Sequence, residues 1–400
     1  MSLINPKNPK KIRELIENTF DRRYAKNYPI YYTVGDRIHF SDVAAYQDFT
    51  KNLKDEFLFH YGLDLFNDEQ KWLVEPPQSI EYYRQQVCEY IENTYTNITI
   101  AYSGGTDSET VADAFKRRGT KNLKLTHAAM QDHLGMESKE YIFEHMRKEI
   151  KKKHTDAIHW LDWEFTVAAP WETNNESNFE KIISDMKIGA FATDHQQQCS
   201  WLHTHKDSVI GDGSKNKSVL IMGKEKPEIS IHNGYWCFWM LNTHFELPPT
   251  ALSPDADTFT FFMNDACPEL VIKLAWTKAK EMEKIFLKEG LSPTLENSIG
   301  VNRVNSKYYT TLIEKMGYMG ISDFLHLGST KFGSPYWELV KKETDKISGT
   351  ISKRNIILNK FFDEVLIDTI DNRFLNMNKK TPHSIWSKPI PLFPVDKKLY

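Results

Sequence analysis

Hydrophobic and polar positions alternate through the middle of the chain in a way that predicts strands separated by helices. Runs of β-forming residues predict strands at 98–102, 123–130, 157–163 and 218–224, and the segments between them carry apolar residues at helical spacing. This alternation is typical of a parallel sheet covered by helices. We therefore expect an α/β domain over residues 79–250.

Helical patterns flank the first of these strands. Upstream, beyond the helix-breaking pair Pro76 and Pro77, apolar side chains follow a helical spacing at Ile80, Tyr83, Val87, Cys88 and Ile91. Downstream, one side of the next helical segment carries Val111, Ala114 and Phe115. Gly119 follows this segment and is of the residue type that commonly ends a helix.

The two ends of the chain have a different character. Residues 1–78 are expected to form an α+β module, with a hairpin whose turn is Gly35-Asp36. Residues 251–400 are expected to form a mainly helical module, in which Asn264 or Asp265 caps a helix that has Pro268 in its first turn. The proline-rich final segment, 383–400, is expected to be irregular.

Composition and charge limit the class of protein. The chain has 400 residues, a hydrophobic fraction of 40% and a formal net charge of −3, so it is not a polycation of the nucleic-acid-binding type. Its four cysteines form no CxxC pair, which argues against a disulfide framework and a structural zinc site. The start of the chain has no apolar stretch of signal-peptide length. We expect a soluble, cytoplasmic protein with no membrane partner.

The loop between the first strand and its helix, SGGTDS at 103–108, carries the candidate chemistry. Ligands bind at the carboxyl ends of parallel strands, and a helix N-terminus favours phosphate. Adjacent glycines let a backbone approach a ligand closely, and hydroxyl groups add donors. Asp107 would repel phosphate unless a cation lies between them, and Mg²⁺ favours carboxylate and phosphate oxygens together. The pattern differs from the Walker A loop because no lysine follows the glycines.

The six residues resemble the SGGxDS signature of the PP-loop ATP pyrophosphatase superfamily, which includes argininosuccinate, asparagine, GMP and NAD synthetases and tRNA thiolases. The resemblance covers about residues 95–235. It implies a Rossmann-like domain of the HUP type. The whole chain is also similar to uncharacterised asparagine-synthase-like or phosphoadenylylsulfate-reductase-like proteins of bacteriophages, which would place it in the host cytoplasm.

The resemblance implies an ATP-dependent adenylating enzyme. A substrate oxygen would attack the α-phosphate, pyrophosphate would leave, and an amine or ammonia would displace AMP. Asp107 would hold Mg²⁺, and Lys224 would act as a catalytic point charge on ATP. The expected nucleotide contacts are Ser103, Gly104, Gly105, Thr106, Asp107, Ser108, Ala129, Met130, Gly223 and Lys226. The acceptor, a small molecule or a nucleic acid, and a separate amine donor are the expected partners.

Two alternatives remain open at this point. A thiol-using sulfurtransferase or reductase would need reactive cysteines, for which Cys199 and Cys267 are candidates, although no cysteine follows Cys267. A nucleotide sensor would keep the loop without catalysis, but phosphate binding alone would not favour Asp107. His195, Cys199 and His203 share one face of a predicted helix and could help bind a metal, line the substrate cleft or serve structure alone.

Overall fold

A computed structural model describes residues 30–39, 48, 55, 57–61, 64–66, 68–102, 106–121, 123–128, 164–168, 218–223, 226–240, 256–302, 306–318, 387 and 389–399. The strands are β1 (Ile30–Val34), β2 (Arg37–His39), β3 (Phe57–Tyr61), β4 (Asn97–Ala101), β5 (Leu123–Ala128), β6 (Glu164–Ala168), β7 (Ser218–Met222), β8 (Glu228–His232), β9 (Tyr235–Trp239), β10 (Ala256–Thr260) and β11 (Ile390–Pro394). The α-helices are α1 (Glu69–Trp72), α2 (Ile80–Thr94), α3 (Thr106–Arg118), α4 (Pro268–Glu289), α5 (Leu295–Asn302) and α6 (Tyr309–Lys315). Two short 3₁₀ segments lie at Asp64–Phe66 and Lys397–Leu399.

A five-stranded sheet with the order β10-β7-β4-β5-β6 forms the centre of the fold. Every neighbouring pair in it is parallel, as the alternation of strands and helices predicts. The expected α/β architecture is therefore confirmed, and its strand order is consistent with a Rossmann-like core. Of the predicted strands, 98–102, 123–130 and 218–224 match β4, β5 and β7 closely. Residues 157–163 lie outside the described part of the chain, and the sheet strand of that region is β6.

One face of the parallel sheet packs on helices α2, α3 and α4. Its side chains are apolar and occupy neighbouring positions on adjacent strands, at Ile98, Ile100, Leu123, Leu125, Val219 and Ile221. They share a hydrophobic core with Val87 of α2 and Phe115 of α3. The helical periodicity of both segments is confirmed, and α3 is followed by Gly119, whose φ is +76°.

A second sheet is antiparallel and has three strands, in the order β11-β9-β8. Its hairpin turns at Asn233 and Gly234, whose φ values of 50° and 77° match the turn that Asn-Gly favours. The expectation of an irregular C-terminal segment is wrong for residues 390–394, which form β11. Prolines are tolerated there because β11 is an edge strand, and its register shifts between Pro391 and Phe393.

Large aromatic side chains fill the space between this second sheet and α4. We call this set the aromatic core, and it consists of Trp72, Trp236, Phe238, Trp276 and Phe286. The rings of Trp72 and Phe238 lie 4.5 Å apart, and those of Trp236 and Phe286 lie 5.3 Å apart. Their indole N–H groups are satisfied, since Trp72 donates to the Leu65 carbonyl at 2.8 Å and Trp276 to the Trp72 carbonyl at 2.8 Å.

Helix α4 begins differently from the sequence-based expectation. Its N-cap is Cys267, with Pro268 at the first helical position. Asn264 contributes just before the helix, because its side-chain oxygen accepts from the Cys267 amide at 2.8 Å. Asp265 accepts instead from the amide of Leu65 at 3.1 Å. The helix ends at Gly290, whose φ is +64°.

Segments before residue 78 and beyond residue 250 pack with other described parts of the chain. β10, beyond residue 250, is an edge strand of the parallel sheet. The core that contains Tyr32 and Val34 also contains residues of α4 and β11. The expected hairpin at Gly35-Asp36 is confirmed as β1 and β2. Within the described parts of the chain, no helix is long and apolar enough to cross a membrane.

Candidate functional site

The strand order creates a topological switch point between β4 and β7. From β4 the chain proceeds to β5 and β6 on one side, and then returns to β7 and β10 on the other. Ala101 at the end of β4 pairs with Met222 at the end of β7, so the segments that follow these strands leave the sheet side by side. Open parallel sheets bind ligands in the crevice at this position.

The loop of 103–108 begins at that crevice. Ser103, Gly104 and Gly105 lie outside the described residues, whereas Thr106, Asp107 and Ser108 form the first turn of α3. Asp107 therefore lies where the unpaired amides of a helix N-terminus favour negative charge. The Thr110 hydroxyl donates to the carbonyl of Thr106 at 2.7 Å and closes this first turn.

Gly223 brings the end of β7 into contact with the start of α3. A Cβ at this position would lie 2.9 Å from the carbonyl carbon of Asp107 and 3.0 Å from the amide nitrogen of Ser108. Backbone atoms cannot move aside as a flexible side chain can. Only glycine therefore permits this close approach, and the expectation that Gly223 lies at the same rim as the loop is confirmed by the geometry.

Lys226 forms an ion pair with Asp107 across the switch point. Its Nζ lies 2.5 Å from Oδ1 and 2.7 Å from Oδ2 of the carboxylate. The side chains are 14% and 30% exposed, so the pair is partly screened from solvent yet open to a ligand. We call Asp107, Gly223 and Lys226 the switch-point site. The sequence predicts a cation beside Asp107, and in this structure the ammonium group of Lys226 takes that position.

Tyr102 and Glu109, on either side of the loop at 103–108, form a buried hydrogen-bonded pair that the sequence analysis did not predict. Tyr102 follows β4 directly, and its hydroxyl donates to the carboxylate of Glu109 in the first turn of α3. Both residues are almost fully buried. The Tyr102 amide also donates to the Thr126 carbonyl at 2.7 Å, which extends the pairing of β4 with β5. The two ends of the loop are thus fixed to each other from inside the fold.

Tyr318 forms a further wall of the site. The Nζ of Lys226 lies 5.1 Å from the centre of its ring, and the guanidinium carbon of Arg84 lies 5.5 Å from it. Arg84 donates to the carbonyls of Gly317 at 2.7 Å and Met316 at 3.1 Å, which fixes the chain that carries Tyr318. Burial lowers the pKa of the Arg84 guanidinium. The contacts of Arg84 join residues more than two hundred positions apart, and Lys226 and Tyr318 are also distant in the chain, so no local pattern in the sequence signals them.

Lys278 anchors the segment that carries Lys226. It is 1% exposed and donates from Nζ to the carbonyl of Pro227 at 2.7 Å. Burial lowers the pKa of its ammonium group, the nearby Glu228 opposes that shift, and Lys226 adds to it. The buried amine therefore holds the turn between β7 and β8 against α4.

The cysteines of the described residues are poor nucleophiles. Burial raises the pKa of the Cys267 thiol to about 12, and it raises that of Cys237 to about 12 as well. Burial also raises the pKa of the Cys88 thiol. A thiol attacks as its thiolate, so these groups stay unreactive near neutral pH.

Several predicted site residues lie outside the described part of the chain: Lys224, Ala129, Met130, His195, Cys199 and His203. Among the residues that are described, no group of three or more His, Cys, Asp and Glu side chains could hold a metal ion. Asp107 alone still fits Mg²⁺ that arrives with a nucleotide, because such an ion takes one or two carboxylates and completes its shell with phosphate oxygens and water.

Comparisons with known proteins found no relative of this chain that bears on its function: no protein-family model and no curated protein matches it.

Proposed function

We propose that this protein is an ATP-dependent adenylating enzyme of the PP-loop ATP pyrophosphatase type. It would cleave ATP between the α and β phosphates and activate a substrate for attack by an amine or ammonia. The observation that carries this proposal is the position of Asp107, at the first turn of α3, beside a switch point that Gly223 and Lys226 complete.

The local geometry supports a nucleotide at this crevice. The described residues of the motif, Thr106, Asp107 and Ser108, open helix α3 shortly after the parallel strand β4, which is the context that a phosphate loop requires. Amides at the start of α3 and the ammonium group of Lys226 can stabilise the negative charge that develops on leaving pyrophosphate. The amides are effective because their positions are fixed before the reaction begins, and the buried pair of Tyr102 and Glu109 supplies that rigidity at the start of α3.

Mg²⁺ would be held by Asp107 and by the phosphate oxygens of the nucleotide. When bound, the ion would neutralise charge on the leaving group. Lys226 would contact the phosphates as a point charge, and Lys278 would keep the backbone next to Lys226 in place. Lys224, Ala129 and Met130 stay in the proposal as further nucleotide contacts, and the acceptor and the amine donor belong to it as partners.

The thiol-using alternative is less well supported. Cys267 is poorly suited to act as a nucleophile, because it is the residue at the N-cap position of α4 and burial raises the pKa of its thiol to about 12. A non-catalytic nucleotide sensor would not need the carboxylate of Asp107. We therefore propose the amine-type adenylating reaction ahead of either alternative. Cys267 gives no support to thiol chemistry, and Cys199 lies outside the described residues.

Product analysis tests the proposal. The protein is incubated with α-labelled ATP and Mg²⁺, with and without fractions of a cell extract that contain small molecules or tRNA. We expect labelled AMP and equimolar pyrophosphate, stimulated by one fraction and lost in Asp107→Asn. Labelled ADP with inorganic phosphate, or no cleavage with any fraction, would reject the adenylating reaction.

A further inference from the structure

Lys226 is paired with the carboxylate of Asp107, the same group that would bind Mg²⁺ brought in by a nucleotide. Its Nζ lies within 2.7 Å of both oxygens of Asp107. An ammonium group and a divalent ion on the same two oxygens would repel each other strongly at such short range. Binding of the divalent ion at Asp107 therefore requires Lys226 to move away.

The surroundings of Lys226 allow its side chain to move while its backbone stays in place. The next residue, Pro227, is held through its carbonyl by the buried Lys278, and β8 begins at Glu228. Lysine carries its charge on a flexible four-carbon stem. The ring of Tyr318 lies 5.1 Å from Nζ while the ion pair is formed, so its face still stabilises an ammonium group that stays near the rim after it leaves the carboxylate.

We infer that Lys226 is an exchangeable counter-ion of Asp107. In the nucleotide-free protein it neutralises the carboxylate. When nucleotide arrives with its divalent ion, that ion takes Asp107, and the ammonium group transfers to the phosphate oxygens. This inference rests on the proposed function.

The exchange keeps the charges balanced at every stage. Asp107 always faces a cation, and the added positive charge of the metal is matched by the negative charge of the phosphates. Free divalent ions lack those phosphates and offer Lys226 no new partner. The nucleotide-free site therefore discriminates against a free metal ion and accepts the same ion when it is bound to nucleotide.

Manganese binding to the nucleotide-free protein tests the inference, because Mn²⁺ can replace Mg²⁺ and is detected by electron paramagnetic resonance. Lys226→Met removes the competing ammonium group, and we expect it to tighten Mn²⁺ binding by about 10-fold. Adding Asp107→Asn to this variant should abolish the gain. Lys284→Met is the matched control, because Lys284 pairs with Glu281 at 2.9 Å on an exposed surface away from the switch-point site.

A second variant protects the test against misfolding. Lys226→Gln keeps a polar side chain without the positive charge, and circular dichroism checks the fold of each variant. A non-hydrolysable ATP analogue should bind the two Lys226 variants at least about 10-fold more weakly than wild type in the presence of Mn²⁺. Tighter Mn²⁺ binding together with weaker analogue binding is the result that the exchange requires.

Unchanged or weaker Mn²⁺ binding in both folded Lys226 variants would overturn the exchange. If ATP were still cleaved to AMP in an Asp107-dependent manner, the proposed function would stand and the exchange alone would fail. If Mn²⁺ binding tightened as expected but no fraction supported release of AMP, the proposed function would fail and the competition at Asp107 would stand.

Discussion

The switch-point site and the aromatic core lie on the same chain but satisfy opposite requirements. In the aromatic core, bulky rings pack at 4.5–5.3 Å between a sheet and a helix, and buried N–H groups have acceptors. At the switch-point site, a glycine lets two backbone segments approach each other closely, and a carboxylate and a lysine concentrate charge at the rim. We expect the first region to serve stability and propose that the second serves a ligand, so substitutions in the two should have separable effects.

The largest effect on stability is expected from truncation in the aromatic core. Trp236 is fully buried, and its Nε1 donates to Glu283 at 3.0 Å. Trp236→Ala should lower the free energy of unfolding by about 3–5 kcal/mol, because it leaves a large cavity and removes one of the two donors to Glu283 Oε1, which also accepts from the Asp396 amide. Chemical denaturation measures the loss, and Tyr235→Ala, at a neighbouring exposed ring, is the control. An equal loss in both variants would contradict the role of the core.

The largest effect on activity is expected from neutralising Asp107. Asp107→Asn should reduce release of pyrophosphate by about 100-fold or more, because the metal and the leaving group lose their charged partner. The change in unfolding free energy should stay below about 1 kcal/mol, since the ion pair is partly exposed.

The same helix offers a matched control for that change. Asp113→Asn breaks a pair with Arg117 that is 2.6 Å long and lies on the exposed side of α3. It should leave turnover intact. Equal losses of turnover in the Asp107 and Asp113 variants would mean that α3 contributes only through its overall charge.

An intermediate effect is expected from the buried pair beside the loop. Tyr102→Phe leaves the Glu109 carboxylate buried without the hydroxyl that donates to it, and should cost about 1–3 kcal/mol of stability. A double-mutant cycle with Glu109→Gln, followed by thermal unfolding, isolates the interaction. Additive losses would show that the hydroxyl and the carboxylate act independently.

The smallest effect is expected at the buried cysteines. Burial raises the pKa values of Cys237 and Cys267 to about 12, so both thiols remain protonated well above neutral pH. Iodoacetamide at pH 8 should leave them unmodified in the native protein and label them in urea, as mass spectrometry would show. Cys267→Ser should retain turnover. Rapid native labelling of Cys267 with loss of turnover would revive the thiol-using reaction.

Local patterns predict the elements that frame the site. The periodicity of Val111, Ala114 and Phe115 predicts α3 because that helix buries one apolar side. The β-forming run before the loop predicts β4, whose central residues are buried on both faces of the sheet. The β8–β9 hairpin was not predicted, although the sequence Asn233-Gly234 at its turn is typical of a two-residue hairpin. The division into modules at residues 78 and 250 stays a prediction.

Long-range contacts explain what local patterns missed. Tyr318 reaches Lys226, and Arg84 reaches Gly317, only because α2, α4 and α6 pack together on one face of the sheet. The strand β11 contains prolines that argue against a strand locally, and it forms because it pairs with β9 at a free edge. The sequence predicts Asp107 and Gly223 as site residues. Their contact with each other could not be predicted, because it depends on β4 and β7 being neighbours in the sheet.

Direct titration with MgATP of the wild type and of two glycine variants tests the central claim, that the switch-point site holds a nucleotide. A Cβ at position 223 would press on the backbone of Asp107 and Ser108, whereas a Cβ at Gly300 in α5 would meet nothing within 4 Å. We expect one site in wild type, unchanged affinity in Gly300→Ala and a loss of at least about 10-fold in a folded Gly223→Ala variant. Equal affinity in all three proteins would contradict the central claim.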